Sequence, residues 1–350
     1  MRKLLIYSLL FISLIIVLSG ADPVVHSSAG RCDSLFTTDS SLQLSISADF
    51  TKLLSNITAD TTIYKGKIWY IEKDGTKKDF DIKIAIRGRF RRNSENCDFP
   101  PLELEFQPRQ VRGSIFEHQK KIKLVTHCRS RRSLYEQYLL EEYLIYKTYN
   151  LFTDLSYKVR LATISYMDSE GKMSTLTRYA FFLENTTQLA RRCEVERMYV
   201  QYILARNTDS VHVNMLSVYQ YFIGNTDWSI PALHNIIMVR KKPDGPLFAV
   251  PYDFEWSGIM NTEYAHPQPI LGIGSVRDRV FRGYCRTPEE FERTFDDFRK
   301  NKKKIYKLYS TQPGLEARKI KKTLEYIDEF FEIIDNPKFV KREFLEKCRQ

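Results

Sequence analysis

Ile236-Ile-Met-Val239, Lys242-Pro-Asp-Gly-Pro246 and Leu247-Phe-Ala-Val250 read as strand, turn and strand, and the return strand runs directly into Pro251-Tyr-Asp-Phe-Glu-Trp-Ser-Gly258. Two prolines around Asp-Gly make a strong turn signal, and the short apolar runs on either side suit buried strands. A hairpin brings its two ends together. Asn235, just before the first strand, and Asp253, just after the second, therefore become neighbours. Upstream lies Tyr221-Phe-Ile-Gly-Asn-Thr-Asp-Trp-Ser229. Residues 211 to 223 read as a buried helix, which Gly224 and Asn225 end in the usual way. Asp227 then sits on the loop beyond, within reach of the same space.

Two carboxylates and an amide thus converge. Mg²⁺ and Mn²⁺ favour oxygen ligands. Phosphoryl transfer uses such a cation to offset phosphate charge, and a carboxylate to orient or deprotonate the attacking hydroxyl. The pattern fits that chemistry better than hydrolysis by a Ser or Cys nucleophile. Taken singly, Asn225, Asp227 or Asp253 would be turn residues, since Asn and Asp bond readily to nearby backbone. Three of them around one hairpin point to a site. Trp228 and Trp256 read as packing residues.

Working toward the N-terminus, the pattern changes to strands. Residues 41–47, 62–71, 79–86, 102–106 and 121–125 alternate apolar and polar to different degrees, and Asp74-Gly75 marks a hairpin turn. Ser133 is placed to cap a helix whose apolar and aromatic residues recur from Leu134 to Tyr149. Residues 157–166 and 176–183 are again strand-like. From Glu184 onward the chain reads as mainly helical apart from the hairpin. The expectation is an α+β, two-lobed, protein-kinase-like fold. Its N-lobe, residues 34–183, is a mostly antiparallel sheet. Its C-lobe, residues 184–350, carries the catalytic hairpin.

The order of helix, loop Asp227, Asn235, hairpin and Asp253-Phe254 resembles the metal-binding half of protein-kinase-like proteins, over roughly residues 80 to 260. More narrowly, it resembles the CotH family of secreted atypical kinases, with HipA-like kinases as more distant relatives. The resemblance implies ATP as substrate and Mg²⁺ or Mn²⁺ as the metal. It implies that Asp227 is the catalytic-loop aspartate, and that Asn235 and Asp253 are the metal ligands. It implies that Arg87-Gly88 is a turn near the phosphates. Lys121 or Lys123, preferably Lys123, would pair with phosphate, and Glu141 or Glu142 would pair with that lysine. Phe182-Leu-Glu184 would be the hinge against the base. The chain departs from the protein-kinase pattern in three places. It has no GxGxxG loop, Asp227 and Asn235 are wider apart than usual, and Glu255 replaces the glycine of Asp-Phe-Gly.

Compartment and partners follow from the rest of the sequence. Arg2-Lys3, an apolar run from Leu4 to Leu18 and the small residues Ser19-Gly20-Ala21 have the layout of a secretory signal peptide over residues 1–21, followed by a linker over 22–33. An uncleaved anchor is the alternative. Six cysteines, none spaced as CxxC, fit disulfides in an oxidising compartment better than zinc. The net charge is +11, with clusters at Arg87–Arg92, Cys128–Arg132 and Lys302–Lys304. Such clusters suit acidic proteins, phosphate groups or an anionic membrane surface. They are scattered, which argues against nucleic acid. The expected function is an exported kinase acting on a protein hydroxyl. The alternatives are a pseudokinase or surface scaffold binding through its basic faces, and a small-molecule or lipid phosphotransferase.

Overall fold

The computed structural model describes residues 33–58, 62–88 and 90–349, so the expected signal peptide and all but Asp33 of the linker lie outside the described residues. The chain order is β1 (Leu42–Ala48), α1 (Phe50–Ser55), β2 (Ile63–Ile71), β3 (Lys77–Ile86), β4 (Leu102–Phe106), β5 (Lys121–Val125), α2 (Leu134–Tyr149), β6 (Val159–Asp168) and β7 (Leu176–Leu183). It continues with α3 (Thr186–Arg192), β8 (Glu196–Met198), α4 (Ser210–Phe222), β9 (Ile236–Arg240), β10 (Phe248–Pro251), α5 (Pro288–Ser310) and α6 (Ala317–Ile334).

The first seven strands form a closed barrel in the order β1-β2-β3-β4-β5-β7-β6. This corrects the expected two-lobed kinase-like fold with its antiparallel N-terminal sheet. The closing contact is parallel: β1 pairs with β6 from Leu42↔Ala162 to Ala48↔Asp168, while the other neighbouring strands run antiparallel. Gly66 permits the tight approach of β2 to β1. A Cβ placed there would lie 2.8 Å from the Ser47 carbonyl oxygen and 2.9 Å from Ile84 Cδ1. Alternate residues fill the interior, among them Ile46, Ile68, Ile84, Leu104, Leu124, Ile164 and Phe182.

A second core lies outside the barrel, where α2 meets α4, α5, α6 and the late strands. The α2 helix is buried nearly all round, including both of its adjacent glutamates. β9 and β10 form the hairpin read from the sequence, and the short strand β8 extends it to a three-stranded sheet, order β10-β9-β8. Among the described residues two disulfides are present, Cys97–Cys128 and Cys285–Cys348. The first ties the segment after β3 to the segment after β5. The second ties the approach to α5 to the end of the chain. Both are compatible with an oxidising compartment. Among the described residues, no helix is long and apolar enough to cross a membrane.

Candidate functional site

The hairpin closes with Pro251 opposite Ile236, and the Tyr252 N–H donates to the Asn235 carbonyl at 3.0 Å. Asn235 and Asp253 therefore sit on adjoining strand ends. Both adopt left-handed backbone, with φ of 53° and 62°. Asn and Asp tolerate that region better than most residues, and its use at a functional site is a recurring pattern. The Asp253 N–H donates to the Tyr146 hydroxyl of α2 at 3.0 Å, which fixes the turn against the helix.

Asp227 meets Asn235 directly. The Asn235 amide nitrogen donates to the Asp227 carbonyl at 2.8 Å and to Asp227 Oδ2 at 2.9 Å. His234 Nε2 lies 2.8 Å from Asp227 Oδ1, and Gln268 Nε2 lies 3.4 Å from the same oxygen. The Asn225 side chain accepts from the Asp227 N–H at 2.9 Å. The wide sequence spacing of Asp227 and Asn235 is thus bridged by a short loop.

A cleft of about 730 Å³ lies between this corner and the barrel. Arg87, Lys123, Glu142, Asp227, Asn235 and Asp253 all line it. Gly88, with φ 99°, turns the chain after Arg87 as a residue with a side chain would resist. Lys121 and Lys123 do share a strand face, but their fates differ. Lys121 is exposed and lies 3.0 Å from Glu103 and 3.6 Å from Glu105. Lys123 points into the cleft, with no carboxylate among the described residues within ion-pair distance.

Burial, reinforced by the nearby Arg87, lowers the Lys123 ammonium to about 8. It is charged below that pH and loses its proton above it. Anion affinity of the cleft is therefore expected to fall by about tenfold between pH 7 and pH 9. Lys123→Arg is expected to remove most of that difference, leaving only the part that ionisation of Asp253 contributes. Calorimetric titration with a non-hydrolysable ATP analogue across this range checks it, and parallel pH curves for the two proteins would refute it.

Three expected residues, Glu142, Glu141 and Glu184, have other partners. Glu142 pairs with Arg91, whose Nη2 lies 3.1 Å away, rather than with Lys123. Glu141 points away from the cleft to Lys319 and Thr323. Glu184 does not line the cleft: it is buried, its carboxylate accepts two bonds from Arg192 at 2.9 Å, and it accepts the Lys158 N–H at 3.0 Å. Its own N–H is spent on the Lys158 carbonyl. The strand end is braced by these bonds, so neither group is left for a ligand.

Arg91 is the residue that sequence reasoning missed. Its Nε donates to Glu255 Oε2 at 2.7 Å, and Tyr264 donates to the same oxygen at 3.2 Å. It lies within the basic run beginning at Arg87, which was the available signal. Its partners are 51 and 164 residues away and carried none.

Asp253 is exposed to the solvent of the cleft, while the protein packed around that cleft crowds its carboxyl. Burial, with Glu255 and Glu142 close by, holds its carboxyl above the usual range, while Arg91 and Arg87 oppose the shift. A carboxylate held so invites a cation. Among the described residues, no group of three or more His, Cys, Asp or Glu side chains is arranged to hold a metal ion. The donors here are one carboxylate, Asp253, and one amide oxygen, Asn235 Oδ1, whose nitrogen is already committed to Asp227. That set fits Mg²⁺ bound with a nucleotide, because Mg²⁺ commonly takes one or two protein oxygens and completes its shell with water and phosphate. No family model matches the sequence, and no curated protein matches it either.

Proposed function

We propose that the chain is an exported, metal-dependent phosphotransferase that moves a phosphoryl group from ATP to a protein hydroxyl. One observation carries the reading: two cations, Arg87 and Lys123, line the same cleft as Asp227, Asn235 and Asp253. Arg87 and Lys123 would hold the phosphates. Asp253 and Asn235 Oδ1 would hold Mg²⁺ or Mn²⁺, which supplies charge neutralisation at the transferred phosphoryl group. Asp227 would orient the acceptor hydroxyl and take its proton. Export is supported by the leader-like N-terminal sequence and the two disulfides.

The competing reading is a scaffold that binds nucleotide without turning it over. One observation favours it: both Asp227 oxygens already accept hydrogen bonds, from His234 and Asn235. Incubation with labelled ATP, Mg²⁺ or Mn²⁺ and a panel of secreted proteins separates the two. The phosphotransferase reading expects label on a protein hydroxyl, and a melting temperature raised by nucleotide plus metal. A raised melting temperature without label on any acceptor, including the chain itself, would favour the scaffold. Neither effect would remove both.

A further inference from the structure

Among the described residues, the cleft is lined by the cations Arg87, Arg91 and Lys123 and by the carboxylates Glu142, Asp227, Asp253 and Glu255. A phosphate chain entering such a site is repelled by these carboxylates unless some of them are neutralised locally. Arg91 does this for two of them at once. It comes from the short turn Phe90–Arg92 after β3, and reaches Glu142 on α2 and Glu255 beyond β10. All three side chains are nearly buried, with 12%, 6% and 10% of their surface exposed. The turn is also held by rings: Phe90 lies 5.4 Å from Tyr264 and 6.1 Å from Trp256, centre to centre. Arg87 and Lys123 make no such carboxylate pair.

We infer that Arg91 is a positioning residue: by holding Glu142 and Glu255 in one buried bridge, it keeps both carboxylates off Arg87 and Lys123, and so leaves those two cations free for phosphate. This rests on the phosphotransferase reading of the cleft. The planar guanidinium suits the task, because it can face two carboxylates at once where an ammonium offers a point charge. Without it, two carboxylates would stand unpaired in a cleft where the charge of Arg87 already acts on Glu142. Freed carboxylates would compete with phosphate for Arg87.

The test is calorimetric binding of inorganic tripolyphosphate to the full chain without metal, with folding checked by circular dichroism. Wild type is expected to bind, and Lys123→Met to bind at least about tenfold more weakly. Arg91→Met is expected to lose about tenfold or more. The triple variant Arg91→Met, Glu142→Gln, Glu255→Gln is expected to return to within about threefold of wild type, although Arg91 is still missing. A purely structural arginine would leave the affinity of folded Arg91→Met unchanged, and that result overturns the inference. A triple variant as weak as Arg91→Met also overturns it, because Arg91 would then touch the anion itself. Should Arg91→Met fail to fold, the double variant Arg91→Met, Glu255→Gln, which leaves Glu142 alone in the cleft with Arg87, takes its place: it is expected to bind at least about threefold more weakly than the triple variant, and equal affinity overturns the inference. If wild type and Lys123→Met are equally unable to bind, the phosphate-site reading falls and this inference with it. If Lys123→Met loses affinity and Arg91→Met does not, only the inference falls.

Discussion

Asp253→Asn is expected to lower phosphoryl transfer by on the order of 10³-fold while leaving the chain folded. The substitution preserves the shape of the side chain and the bond from the residue 253 N–H to the Tyr146 hydroxyl. Asparagine also accepts the left-handed backbone at this position. What it removes is the charge that would hold the cation. The same substitution is expected to leave stability unchanged or raise it at pH 8. Burial, then Glu255 and Glu142, raise the Asp253 carboxyl above its value in the unfolded chain. A carboxyl shifted upward favours the folded state while it is protonated, and that contribution is lost as pH rises through the folded value. At pH 8 the ionised group opposes folding only weakly, because its side chain is exposed to the solvent of the cleft and its like-charge repulsions are screened there, so a neutral amide costs nothing. Loss of function with no loss of stability is the mark of a residue kept for chemistry. Turnover with labelled ATP at saturating Mg²⁺, together with a melting curve, checks both halves. A variant within about threefold of wild-type turnover would remove Asp253 from the metal site and, with it, the strongest support for phosphoryl transfer.

Local features of this chain were readable because their determinants are local. The turn at Lys242–Pro246 and its apolar flanks specify β9 and β10, and a hairpin leaves no choice about which ends meet. The neighbouring helix follows from apolar residues up to Ile223 and the glycine stop. Strands β4, β5 and β7 match the strand-like runs residue for residue. The barrel was not readable, because closure depends on β1 lying parallel to β6, residues about 120 positions apart, and an alternating run looks the same whether its sheet is open or closed. The surroundings of Glu184 were unreadable for a related reason. Its position at the end of a strand is local, but the bonds from Arg192 and Lys158 that engage it are tertiary. The partner of Glu142 shows the same limit, since helix geometry says only that adjacent glutamates point in different directions. Which of them faces the cleft depends on α6 and on the turn that bears Arg91.

That division between neighbours makes Glu141 a test of the second core. Glu141→Ala is expected to cost about 3–5 kcal/mol of folding stability, because it strips a largely buried ammonium and a buried hydroxyl of their shared partner. Glu141 is fully buried on α2. Lys319 on α6 donates to its Oε2 at 2.6 Å and to the Met260 carbonyl at 2.9 Å, and Thr323 donates to its Oε1 at 2.8 Å. Alanine would leave a largely buried ammonium and a hydroxyl without their shared acceptor. The cost should depend on pH in a definite direction. Burial pushes the Glu141 carboxyl up to about 7, against the pull of Lys319 and Thr323. Its contribution to stability is therefore full below the ordinary glutamate range and declines as pH rises through about 7. The penalty for Glu141→Ala should be larger at pH 5 than at pH 8. Replacing both partners, Glu141→Leu with Lys319→Met, should recover most of the loss, because no charge is then left buried. Urea unfolding at the two pH values checks all three statements. A single variant within about 1 kcal/mol of wild type at pH 5 would mean that apolar packing, rather than this bridge, fixes α2 against α6.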